Sequence, residues 1–101
     1  MSVIHIDERN FEAQVRNSDK PVLLDFFAPW CGPCRMMGPV LEEVAAQRSD
    51  VKVCKINIDE SPNLANAFQV VSIPTLMVMK DGKVVNQSVG ARPKNQVLNM
   101  L

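Results

Sequence analysis

Val22-Leu23-Leu24-Asp25-Phe26-Phe27-Ala28-Pro29-Trp30-Cys31-Gly32-Pro33-Cys34-Arg35 is the stretch that decides how this chain folds. Its first six residues are apolar on both faces except at Asp25. That is the pattern of a central strand covered by helices on either side. Beyond it, Met37, Leu41 and Val44 repeat at helical spacing and predict a helix over Cys34–Gln47. Pro39 lies inside that helix, where it removes an amide and crowds the Arg35 carbonyl, so a kink is expected. Between strand and helix stand two cysteines separated by two residues.

Two thiols at that spacing on a first helical turn can close a short disulfide, which makes them a reversible two-electron couple. Unpaired amides and partial positive charge gather at a helix N-terminus and favour a thiolate there. Cys31 is therefore expected to titrate below the ~8.5 of a free cysteine. Cys34, one turn further in, is expected to be less exposed and to react second.

Outward from this centre, strand and helix patterns alternate. Val3 to Ile6 is short and β-branched, and Asp7 can cap a helix to about Asn17 with Phe11 and Val15 on one face. Val51 to Ile58 is strongly β-prone. Ser61-Pro62 looks like a cap followed by a proline at the first helical position, opening a short helix through Phe68. Thr75 to Met79 and Lys83 to Val89 flank the hairpin signal Lys80-Asp81-Gly82. Pro93 starts a last helix carrying Val97, Leu98 and Leu101. The order β-α-β-α-β-α-β-β-α predicts an α/β fold, with parallel pairing early and an antiparallel hairpin late.

Composition agrees with one folded domain over residues 1–101: 47% of residues are apolar and 22% charged. Eleven basic residues balance eleven acidic ones, with no basic block, so neither nucleic acid nor an anionic membrane is expected as a partner. No apolar run is long enough to cross a bilayer. Met1 to Asn10 has neither a basic segment nor an apolar run, so no secretory signal is read there. Three cysteines are too few for a disulfide framework, and the reducing cytoplasm is the expected compartment.

The segment from Val22 to Arg35 resembles the active-site region of the thioredoxin family. Lys55-Ile56-Asn57-Ile58-Asp59, Ile73-Pro74-Thr75, and Asp81-Gly82 followed by Val89-Gly90-Ala91 agree with it in order and spacing. The resemblance implies the thioredoxin fold, a central mixed sheet of about five strands flanked by about four helices, and a protein-disulfide reductase. It implies Cys31 as nucleophile, Cys34 as resolving thiol, and Gly32 and Pro33 as the support between them. Asp25 would be the buried group that takes the Cys34 proton. A carboxylate on an apolar strand is desolvated, which raises its pKa toward that of a working base. Lys55 is similar to the family's buried lysine, whose charge would partly offset that rise. Pro74 looks like the family's cis-proline beside the cysteines, leaving the Ile73 backbone free to pair with an extended substrate. Trp30, Ile73, Pro74, Gly90 and Ala91 would form a flat apolar docking surface. Also implied are thioredoxin reductase as electron donor, drawing on NADPH, and clients such as ribonucleotide reductase, peroxiredoxin and methionine sulfoxide reductase. The resemblance implies a monomer with no metal and no organic cofactor.

Several residues also have plainer readings. A zinc site needs four ligands, and beyond the pair only Cys54 and His5 remain. Asp25 could be a satisfied buried polar group, and Lys55 could serve packing alone. Cys54 reads as a small buried hydrophobe, His5 as incidental, and Phe11, Phe26, Phe68 and the methionines as core. Phe27 stands where many family members carry a second tryptophan, and Arg35 replaces a frequent lysine. Two rival functions use the same fold: a thiol oxidase or isomerase, and a binding or scaffold module without turnover.

Overall fold

Strand β2 (Val22–Phe27) forms the middle of a five-stranded sheet in the computed structural model, which describes residues 2–101. Around it the chain forms β1 (Ile4–Ile6), a π-helical turn (Glu12–Arg16), α1 (Gly32–Gln47), β3 (Lys52–Asn57), α2 (Pro62–Ala67), β4 (Thr75–Lys80), β5 (Lys83–Val89) and α3 (Lys94–Met100). The spatial order is β1-β3-β2-β4-β5. β1 and β2 run parallel to β3 on either side of it, while β4 is antiparallel to β2 and β5 to β4. This is the mixed α/β sheet expected from the sequence.

Register follows from the pleat. Leu24 and Phe26 point to one face and join Ile6, Phe11, Val15, Ile56 and Met77 in one core, against which Phe68 packs. Leu23 points to the other face and meets Met37, Leu41 and Val44 of α1, with Leu76 and Val97. Each such side chain contributes about 1.5–3 kcal/mol by leaving water. Asp25 lies on the same side of the pleat as Leu23, opposite Lys55 on β3 and Leu76 on β4. The hairpin turn at Asp81-Gly82 has φ of 53° and 77°, the left-handed pair that matches strand twist.

Three local expectations change. No helix starts at Asp7. Its amide donates to Asn10 Oδ1 (2.9 Å) and its carboxylate accepts from the Arg9 amide (2.8 Å). These bonds cap the segment reciprocally and the Phe11 amide donates to the Asp7 carbonyl (3.1 Å), but the regular helical pattern starts only at Phe11 and is π-helical over Glu12–Arg16. Helix α1 begins at Gly32 rather than Cys34, because Cys31 itself is its N-cap, and the helix continues through Pro39 to Gln47. Among the methionines, Met36 is 69% exposed. It stands one position from buried Met37, and at 100° per residue the neighbour of a core position faces outward.

Candidate active site

The end of β2 leads through a turn, closed by the Cys31 amide donating to the Ala28 carbonyl (3.1 Å), straight into α1. Cys31 keeps extended backbone geometry as N-cap (φ −88°, ψ 114°), and Pro33 occupies the first turn, where its missing N–H costs nothing. The Cys34 amide then donates to Cys31 Sγ at 3.2 Å, inside the buried start of the helix. A free helical amide aimed at a sulfur is the local reason a negative charge on that sulfur is favoured.

Cys31 and Cys34 are joined as a disulfide, with their Cα atoms 5.3 Å apart. The expectation that Cys34 would be the less exposed is not met, since each residue is 6% exposed. Both cysteines belong to a small cluster with Ala28, flanked by Phe27, Ile58 and Ile73. The Ile73 carbonyl oxygen is 3.9 Å from Cys31 Sγ, and the Ile73–Pro74 peptide bond is cis. The Gly90 amide donates to the Pro74 carbonyl (2.8 Å), so the Gly90-Ala91 segment is tied beside that bond. Gly90 has φ of +98°, a backbone state that a side chain would strain.

Trp30 stands out beside the pair, 66% exposed. Its indole Nε1 donates to Asp59 Oδ2 at 3.0 Å, and the Asp59 amide in turn donates to Asn57 Oδ1 at 2.9 Å. The loop after β3 thus orients the indole. Asp59 was visible in the sequence only as the last residue of a strand motif, and a pairing across twenty-nine positions leaves no local signal. Arg35 donates from Nε and Nη2 to the Pro29 carbonyl (3.3 and 3.1 Å), bracing the turn before the cysteines.

The strand that leads to the disulfide carries one charged residue, Asp25, and its register partner on β3 is Lys55. Asp25 is almost wholly buried, and its Oδ1 has no hydrogen-bond partner. Burial raises its pKa from about 3.8 to about 7, and the positive charge of Lys55 pulls the other way. The Lys55 ammonium lies 4.4 Å from the centroid of the Phe27 ring. Cys54 lies away from this group, in the core on the other face of the sheet, and His5 is exposed on β1. Among the described residues no three His, Cys, Asp or Glu side chains gather in a metal-binding arrangement. Nor is any described helix long and apolar enough to cross a membrane.

A cysteine pair at a helix mouth, closed as a disulfide beside a cis-proline on a mixed α/β sheet, defines a dithiol–disulfide oxidoreductase. Comparison with known proteins narrows the class. The family model described as Thioredoxin matches residues 2–101. The chain is 52% identical to Thioredoxin 1 of Synechococcus elongatus, over 95% of this chain and 91% of that protein. It is 50% identical to Thioredoxin of Haemophilus influenzae (98% and 94%) and to Thioredoxin 2 of Chlorobaculum tepidum (93% and 87%). This chain belongs to the thioredoxin family. Its Cys31–Cys34 bond is the family's redox-active disulfide, its substrates are disulfide-bearing proteins, and a reductase renews it.

Proposed function

We propose that the chain works as a general protein-disulfide reductase and electron carrier, a single-domain cytoplasmic monomer. In its reduced form the Cys31 thiolate attacks one sulfur of a client disulfide. The client S–S bond breaks, a mixed disulfide forms at Cys31, and the client's first sulfur leaves as a thiolate that takes a proton. Cys34 then loses its proton, attacks Cys31 Sγ, and releases the client's second sulfur. Two electrons pass to the client, and the Cys31–Cys34 disulfide remains. Thioredoxin reductase would restore the dithiol with electrons from NADPH.

Each remaining residue has a place in this sequence. Asp25 receives the Cys34 proton, for which its raised pKa suits it near neutrality. Lys55 tempers that rise. Gly32 and Pro33 hold the two sulfurs one helical turn apart. Trp30, Ile73, Pro74, Gly90 and Ala91 receive the client, with the Ile73 backbone pairing to an extended segment. Contacts through backbone and a shallow apolar surface favour breadth over tightness. Ribonucleotide reductase, peroxiredoxin and methionine sulfoxide reductase fit as clients.

The observation that carries this proposal is the Cys34 amide directed at Cys31 Sγ from the helix mouth. The test is a turnover assay with NADPH, a thioredoxin reductase and insulin. Continuous NADPH oxidation with precipitation of the insulin chains is expected. NADPH oxidation with no insulin cleavage would overturn the client half of the proposal, and no NADPH oxidation would overturn the donor half.

A further inference from the structure

Asp25 and Lys55 face each other in register across β2 and β3, both on the sheet face beneath α1. Two opposite charges so placed in a low-dielectric site would be expected to pair. They do not. The ion pairs among the described residues are Arg9–Asp7, Arg16–Glu12 and Arg48–Asp50. Asp25 Oδ1 is left without a hydrogen-bond partner. The ammonium has instead settled over the Phe27 ring, 4.4 Å from its centroid, where the negative face of the ring attracts a cation. Phe27 is two residues beyond Asp25 on β2, so its ring projects from the same side of the strand.

We infer that Phe27 is a positioning residue whose ring competes with the Asp25 carboxyl for the Lys55 ammonium, so that an ion pair relieves the burial of Asp25 only in part. The ammonium thus has two resting places, the ring while Asp25 is protonated and the carboxylate once Asp25 has lost its proton. Among the described residues Lys55 is the charged group that acts on Asp25. On β4 its neighbour is Leu76, which belongs to the apolar core on that face together with Val97 of α3. The inference rests on the proposed role of Asp25 as the acceptor of the Cys34 proton. Phe27 would act through Lys55 on that step, without touching the client.

The experiment follows the Asp25 carboxyl carbon by NMR against pH, beside the pH dependence of mixed-disulfide resolution. In Phe27→Leu the ammonium loses its ring and moves toward Asp25, so the carboxyl midpoint should fall by about half a pH unit, the worth of one cation–π contact. Phe27→Trp, which keeps an aromatic face, should hold the midpoint. In a Lys55→Met background the Phe27→Leu change should have no further effect. An equal fall with Lys55 absent, or the same fall in Phe27→Trp, would overturn the positioning role. If the carboxyl midpoint moves as expected but the rate profile does not follow it, the positioning role stands and the proton-accepting role of Asp25 falls. Should Phe27→Leu not fold, the unaltered protein still decides. Its Lys55 ε-methylene protons should be ring-shifted upfield at low pH and lose that shift as Asp25 ionises, and their resonance at an ordinary position throughout would sink the inference.

Discussion

Cys31 and Cys54 are both buried sulfurs, 6% and 0% exposed, yet the fold gives them opposite chemistry. Cys54 lies in mid-strand on β3, opposite Ile4 on one side and Leu24 on the other, in a core of Phe26, Ile56 and Met77. Among the described residues no donor reaches its sulfur, and burial pushes its pKa up to about 12. Cys31 is nearly as dry, but it caps a sixteen-residue helix and receives an amide N–H. The difference teaches that solvent exposure does not separate the two sulfurs. The direction of the nearby backbone dipoles does, since an amide aimed at a sulfur stabilises charge without water. A strand interior has spent every amide on its neighbours. A helix mouth has amides to spare.

The largest expected effect comes from cutting the Cys31–Cys34 partnership. Cys34→Ser should lower insulin turnover by roughly a hundredfold or more, because the mixed disulfide at Cys31 has no internal thiol to resolve it. Mass spectrometry should then find client chains held covalently at position 31 and none at position 54. Turnover close to that of the unaltered protein, or trapping at Cys54, would break the contrast between the two sulfurs.

The next effect concerns the carboxyl beneath the pair. Asp25 titrates near 7 in the folded protein and near 3.8 when unfolded, so between those values the folded state binds the extra proton. Stability should therefore fall as pH rises from about 4 to about 7, by up to about 4 kcal/mol, and stay at the lower level above that. Asp25→Asn should remove this slope and give the more stable protein at pH 8, measured by denaturant melts across the range. The same variant should slow mixed-disulfide resolution about tenfold, since a positioned base is lost. A flat stability profile in the unaltered protein would mean that Asp25 is already ionised and paired. The helix-mouth amide would then act alone.

How much of this was legible in the sequence depends on whether a feature is local. Val22–Phe27 and Thr75–Met79 read as buried strands because burial on two faces leaves no polar alternation to hide them. Cys31 and Cys34 declared themselves by spacing, and their place before Met37, Leu41 and Val44 put them at a helix mouth. Asp7 and Asn10 do cap the first turn, as their residue types suggest, but the stretch that follows is a short π-helical turn over Glu12–Arg16, a geometry that spacing does not express. The equal burial of the two cysteines belongs to the folded, disulfide-closed site and is not expressed by residue order alone. The Trp30–Asp59 bond and the Lys55–Phe27 contact bring together residues twenty-nine and twenty-eight positions apart, and only the folded sheet makes them neighbours.

The smallest expected effect tests the contrast from its inert side. Cys54→Ala removes one buried sulfur from a packed core, so it should cost about 1 kcal/mol of stability and leave insulin turnover unchanged. Thiol titration of the reduced, folded protein with a disulfide reagent should find two fast sulfhydryls, and a third only after denaturant is added. The thiol–disulfide reaction needs a thiolate, and a group pushed up to about 12 offers almost none at neutral pH even if a reagent could reach it. Were Cys54 to react in the folded state as fast as Cys31, the direction of backbone amides could not be what separates them, because Cys54 has none. Reactivity would then have to come from local opening of β3, and hydrogen exchange at Val53 and Lys55 as fast as the thiol reaction would identify that opening.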